Sequence, residues 1–406
     1  MREGWKEVTI GDLGKVVTGN TPPRKNPELY GSHTLFVKPT DISVDSKYTY
    51  SPEECYSDLG YKKYIKSLIP KGSTCIVTIG SIGKKMTKAH CDLFINQAVN
   101  AVIPNEKYDD EFVYYVLKYN LSQLKTFDSG TASGRENVSK TSFSNIKINV
   151  PIDKNIQESI GKLLSAYDDL IENNQRRIKI LEEMAQQTYE EWFVRMRFPG
   201  HESAAINTET GLPEGWEKGK LNNITDYLSG YAFKSSEFKN KGNGIIRIKN
   251  IGNNTIDISD VVYIDDDYAK KQNKFLLKAG DLLIAMTGAT VGKVGIMPFS
   301  DKKFYLNQRV GKLITENTAF LNSFFNSTYG INQIVNIASG AAQPNISAQQ
   351  ILDIELVVPK QSVLQLFAQN FNKNISIVVN LQSQNQRLRE ARDILLPRLM
   401  MGVITV

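Results

Sequence analysis

From residue 155 to about 197, apolar and semi-polar positions recur at steps of three and four: Ile156, Ile160, Leu163, Tyr167, Leu170, Asn174, Ile178, Leu181 and Ala185. That spacing draws one stripe along a helix. No proline interrupts the run, and Pro151 and Pro199-Gly200 bracket it. About forty residues at 1.5 Å each make a rod of roughly 60 Å. A rod of that length cannot cover its own stripe, so the pattern predicts a partner helix. A second stretch, from Ser362 to about Leu396, repeats the spacing with Val363, Leu364, Phe367, Phe371, Ile375, Val378, Val379 and Leu388. Both exceed the average globular helix of about 11–12 residues, which argues against two ordinary core helices. The carboxylate neighbours Asp168-Asp169 and Glu182-Glu183 do not face one another on a helix and read as a solvated face.

Elsewhere short β-branched runs alternate with Gly, Pro and Asn. Strands are expected at residues 75–78 and 282–286, and helices at 110–124 and from 319 to about 325. These runs occur twice, in one order. Gly4-Trp5 opens the chain and Leu212-Pro213-Glu214-Gly215-Trp216 reopens it. The segment ending Thr18-Gly19 returns as Ser229-Gly230, and LFVKPTDI from Leu35 returns as GIIRIKNI from Gly244. Phe94-Ile95-Asn96-Gln97 matches Tyr305-Leu306-Asn307-Gln308, Asn137-Val138-Ser139 matches Asn345-Ile346-Ser347, and Val150-Pro151 matches Val358-Pro359. A near-constant offset through so many matches means duplication. The fold class expected is α+β: a tandem duplication of one domain plus one long helix. The divisions are 1–151 and 212–359 for the domains, 152–198 and 360–406 for the helical segments, and 199–211 for a polar linker.

The chain has 406 residues, 41% of them hydrophobic and 23% charged, as in a soluble protein of two or more domains. No apolar run reaches a membrane span, and the N-terminus lacks an apolar signal core. Cys55, Cys75 and Cys91 have no paired spacing and fit a reducing cytoplasm. A net charge of +6 and a pI near 8.9 permit an anionic partner without requiring one.

Most catalytic readings fail on spacing. GATVGKVG at residues 288–295 has three residues between its first glycines where a phosphate loop needs four, and Val294 follows Lys293. A tight turn aiming amides and a lysine at an anion stays open there, as does a plain β-turn. His33, His90 and His201 form no metal or triad pattern. No FxGxG run and no Asn/Asp-Pro-Pro-aromatic tetrapeptide is present, which argues against a self-contained amino-methyltransferase; Asn20-Thr21-Pro22-Pro23 does not qualify. What remains is polar and basic side chains beside turns, in duplicate. Lys38 and Thr40 align with Arg247 and Lys249. Ser81, Lys84 and Lys85 align with the loop carrying Thr290 and Lys293. Asn96 and Gln97 align with Asn307 and Gln308, where Arg309 follows. The last pair of loops holds Arg135 in one copy and Gln343 and Asn345 in the other. Such residue types read base edges by paired hydrogen bonds, although exposed loops are polar in any protein and Asn96-Gln97 could equally satisfy backbone groups.

LPEGW at residues 212–216, the SG…NIS run at 339–347 followed by VVP, the helix text IENNQRRIKILEEMAQQTYEEWF and the tail QSQNQRLREARDILLPRLMMG together resemble the specificity subunit of type I restriction-modification enzymes. The resemblance spans the whole chain and implies a non-catalytic, cytoplasmic reader of double-stranded DNA that takes no cofactor. Each of two target-recognition domains would read half of a bipartite sequence. The two helical regions would pair antiparallel, set the spacing and dock two modification (methyltransferase) subunits, with restriction subunits joining the complex. The residues themselves leave two other readings open: a helical protein-binding scaffold, and a nuclease or methyltransferase with an unrecognised site.

Overall fold

The computed structural model describes residues 3–128, 136–252, 254–338 and 344–406. The chain divides into two compact units, one of Met1–Asn173 with Asn385–Val406 and one of Asn174–Gln384. Each is an α+β domain together with a segment of both long helices.

In the first unit, strand Trp5–Thr9 pairs antiparallel with Lys147–Pro151, which leads into the first long helix. An antiparallel sheet follows in the order Gly14–Thr18, Val99–Pro104, Thr74–Val77, Met86–Lys88. The expected strand at 75–78 sits there one residue early, and its TCIV run is buried throughout because both sheet faces are covered. A second sheet orders Tyr30–Gly31, Glu54–Tyr56, Thr34–Val37 and Phe94–Ile95, the last two parallel. Helix Asp110–Tyr119 starts where Asp109 accepts the Phe112 N–H. It ends earlier than expected because the Asn120 side chain donates to the Val116 carbonyl, 2.7 Å, and the chain tightens into a 3-10 turn over Leu121–Phe127.

The second unit repeats this plan. Glu217–Lys220 pairs with Glu355–Val358. Asp226–Ser229, Val310–Ile314, Leu282–Ala285 and Val294–Ile296 reproduce the four-stranded order, extended by Asn254–Ile256 and Ile251–Gly252. Val262–Ile264, Asn243–Ile246 and Phe304–Leu306 form the smaller sheet, again with its last pair parallel. The helix expected near 319–325 is Thr318–Asn326.

The long helices span Lys154–Tyr189 and Gln361–Met400. They pair antiparallel within each unit. In the first, Ile160 and Leu164 share a core with Leu396, Leu399 and Met400. In the second, Phe193 lies 5.1 Å from Phe367 between ring centroids, and Ala185 joins the same cluster as Ile375. Three details depart from the stripe pattern. Leu170 is 52% exposed while Asp168 is 3% exposed. The buried line of the first helix therefore runs one position aside from the apolar one, and Asp168 is not on a solvated face. The reason is a cation supplied by the last helix, Arg392. Second, the first helix does not continue α-helical to 197. A π-turn, Glu190–Val194, widens it and sets Phe193 against Tyr189, Phe320, Phe367 and Trp216. Third, the last helix passes through Pro397 to Met400, because Leu399 and Met400 bury in the first unit and outweigh the one hydrogen bond a proline removes.

Candidate nucleic-acid interface

In each unit the smaller sheet ends in a parallel strand pair, Val37 beside Ile95 and Ile246 beside Leu306. Parallel strands finish together, so the residues that follow leave at one edge: Lys38 with Asn96, and Arg247 with Asn307. A strand end from the larger sheet crosses close by. A Cβ at Gly19 would lie 2.1 Å from the Ile95 carbonyl oxygen, and one at Gly230 would lie 2.0 Å from that of Asn307. Only glycine lets the chain approach so near.

The glycine turns join the same edge. Lys85 Nζ donates to the Pro39 carbonyl, 2.8 Å, and Thr290 Oγ1 to that of Ile248, 3.3 Å. Ile79 bridges Asn137, and Thr287 bridges Asn345. The Met286 N–H bonds the Arg309 carbonyl at 3.0 Å. Each unit thus gathers the residues singled out from its half of the sequence; Arg135 and Gln343 lie outside the described residues.

Their surroundings differ. Thr40, Ser81, Lys84 and Gln97 are exposed in the first unit, as are Lys249, Lys293, Gln308, Arg309 and Asn345 in the second. Thr290 and Lys85 are half-buried in the contacts just given. Asn96 Oδ1 accepts the Ala98 N–H at 3.0 Å, closing its own turn. Asn307 is buried. Arg247 is half-buried, with its backbone N–H on Asn250 Oδ1. Lys249 Nζ bonds Asp260 at 2.7 Å and holds that carboxyl below its ordinary range. In the turn at 288–293 the amides of Gly288, Val291, Gly292 and Lys293 are all spent on backbone carbonyls. Four of the turn's six amides thus serve the fold itself.

Lys38 has the densest surroundings. Nζ lies 2.7 Å from Glu53 and 3.1 Å from Glu54, with the side chain 16% exposed. Burial pulls its ammonium down and the two carboxylate hydrogen bonds outweigh this, for a net rise. Glu54 also takes both Nη atoms of Arg24. That contact, opposed by burial and helped by Lys38, holds the Glu54 carboxyl below its ordinary range. Sequence reasoning missed Arg24 and Glu54. Their one signal was a basic residue just past Pro22-Pro23 in the loop leaving the matched glycine, Gly19.

Among the described residues no group of three or more His, Cys, Asp or Glu side chains could hold a metal, and no helix is long and apolar enough to cross a membrane. The three cysteines are free.

A family model described as the type I restriction modification DNA specificity domain matches residues 2–183 and 213–380. The chain is 26% identical to the type I restriction enzyme MjaVIII specificity subunit of Methanocaldococcus jannaschii over 416 aligned residues, covering 100% of this chain and 94% of the relative. A second relative from that organism, the MjaIX specificity subunit, is also 26% identical and is covered to 94%, with 99% of this chain aligned. In fold, the chain is similar to the crystal structure of the type I restriction-modification system S subunit from M. genitalium, with a TM-score of 0.61 and 17% identity, covering 97% of this chain and 96% of that one.

Proposed function

Because the chain belongs to the family of type I restriction modification DNA specificity domains, we propose that it is the sequence-reading, non-catalytic subunit of such a complex. Each domain reads one half of a bipartite duplex target. The observation that carries this is the duplicated edge: the same strand pair, crossing glycine, lysine turn and Asn bridge are built twice. Exposed Thr40, Ser81, Lys84, Gln97, Lys249, Lys293, Gln308, Arg309 and Asn345 supply the donors and acceptors that phosphates and base edges require. Lys38, Lys85, Asn96, Arg247, Thr290 and Asn307 shape the loops behind them, and Arg135 and Gln343 complete the set by their place in the sequence. The paired helices set the distance between half-sites and dock two modification subunits, through which restriction subunits join. Exposed Ile180 and Met184, one turn apart on the first helix, give a docked subunit apolar surface to cover.

The test exchanges residues 1–150 for the matching domain of a relative and maps methylated sites with the modification subunits present. One half-site should change and the other stay. If both change together, the domains do not read independently. If the isolated chain binds the methyl donor S-adenosylmethionine at micromolar concentration, the non-catalytic assignment is wrong.

A further inference from the structure

Among the described residues the Arg24–Glu54 pair exists in the first unit alone, and it is built more firmly than a surface ion pair needs. The guanidinium meets the carboxylate with two nitrogens, one of them at 3.0 Å, and lies 4.8 Å over the Tyr30 ring. Tyr30 is itself tied to the same loop by a 2.6 Å hydrogen bond from its hydroxyl to the Pro22 carbonyl. The Tyr56 hydroxyl donates to the Asn20 carbonyl at 2.9 Å, Asn20 Nδ2 to Ser67 Oγ at 2.8 Å, and Thr21 Oγ1 to Gln97 Oε1. The loop carrying Arg24 is thereby fastened to the edge where Gln97 emerges. Yet the Arg24 side chain is 65% exposed, far more open than Lys38.

We propose that Arg24 is a specificity determinant of the first domain, reading a guanine in the major groove, and that Glu54 is the positioning residue that presents it. This rests on the reading of the chain as a DNA reader. A guanidinium carries two donor forks. The end fork is spent on Glu54, which leaves Nε–H and an outer Nη–H as a planar side fork. The acceptor pair matching such a fork is guanine O6 and N7. A cation already paired with a carboxylate contributes little net attraction to phosphate, so what it offers is direction. Glu54 also holds Lys38, which buttresses the carboxylate from behind.

The second domain has no counterpart of this pair. Phe36 faces Glu54 across the strands in the first, and the matching Ile245 faces Val262 in the second. Val262 offers no carboxylate to the cation exposed in that loop, Lys234. The two halves share a frame and differ in what it presents, so they read different bases.

The experiment maps methylated sites on a randomised duplex library with R24A, R24K and E54Q, each assembled with the modification subunits. R24A should relax one position of the first half-site, with discrimination there falling about 10- to 100-fold. The second half-site should be unchanged. R24K should not restore the position, because an ammonium has no planar fork. E54Q should relax the same position to a smaller extent. The inference is overturned if R24A leaves that half-site intact, if R24K restores it, or if R24A weakens all sequences equally with a shallower salt dependence, the mark of a phosphate contact. An E54Q chain with wild-type preference overturns the positioning role. A wild-type complex with no sequence preference at all would instead overturn the DNA-reading function.

Discussion

Asp168 on the first long helix and Arg392 on the last stand 224 positions apart and form a buried ion pair in the first unit. The Tyr115 hydroxyl donates to the other Asp168 oxygen at 2.6 Å. Domain, first helix and last helix thus meet at one carboxylate. Burial lowers the tendency of the guanidinium to hold its proton, but the attraction of Asp168 and Asp393 outweighs it and the net shift is upward. The R392A variant should lose about 3 kcal/mol, because Asp168 then stays buried with only the more distant Lys118 ammonium, 3.9 Å away, in place of a hydrogen-bonded guanidinium. Replacing both partners, D168L with R392M, should recover most of that. Hydrogen exchange on peptides from residues 154–173 and 385–400 reads the result. Equal protection in R392A and wild type would mean the pair contributes nothing.

In the second unit, Glu182 lines a cleft with Asn322, Phe371 and Val378. Burial, helped by the neighbouring Glu183, pushes its carboxyl from near 4.5 up to about 7. The folded chain therefore holds a proton that the unfolded chain releases between those values. The contribution is fully present below pH 4.5 and is lost as pH rises to about 7. The E182Q variant should lack this slope and be more stable than wild type above pH 7 by about 1–3 kcal/mol. Urea unfolding at pH 5 and pH 8, followed by the fluorescence of Trp192 and Trp216 in a W5F background, measures it. A difference independent of pH would refute the assignment.

At the crossing glycines, G230A should destabilise the second unit by about 2–3 kcal/mol, since the added carbon meets a backbone oxygen that cannot step aside. G19A should do the same in the first. With the modification subunits present, each variant should blur one half-site. Loss of both by either variant would contradict two separate frames.

Arg309 follows the matched Asn-Gln pair and has no basic counterpart, because Ala98 stands at that place in the first copy. R309A should weaken target binding without altering stability. A base contact would cost about 1–3 kcal/mol at one position of the second half-site, whereas a phosphate contact would lower the salt slope by about one. Unchanged affinity and preference would remove Arg309 from the interface.

The duplication was legible because Gly19 and Gly230, or Asn137 and Asn345, hold their places for backbone reasons that any copy of the fold must obey. The long helices were legible from their period. Asp168 was not, since periodicity counts it as polar and cannot know that Arg392 arrives from the far end of the chain. The Arg24–Glu54 contact was hidden similarly: thirty positions separate its members, and only strand pairing brings them together. The glycine turn was legible only in part: its composition suits an anion cradle, and the pairing of its Gly288, Val291, Gly292 and Lys293 amides with backbone carbonyls follows from contacts no spacing reveals.

The first unit is assembled from both ends of the sequence, Met1–Asn173 and Asn385–Val406. During synthesis its core must therefore wait. Leu396, Leu399 and Met400, which pack beside Phe112 and Leu164, leave the ribosome only after the whole second unit has been made. At roughly 5–20 residues per second, the half-finished domain spends on the order of ten seconds or more with that apolar face uncovered. The second unit, being continuous in sequence, is under no such delay. A chaperone that recognises exposed apolar surface has its clearest target in this interval, and a ribosome that stalls late yields a chain whose second unit is whole and whose first is open.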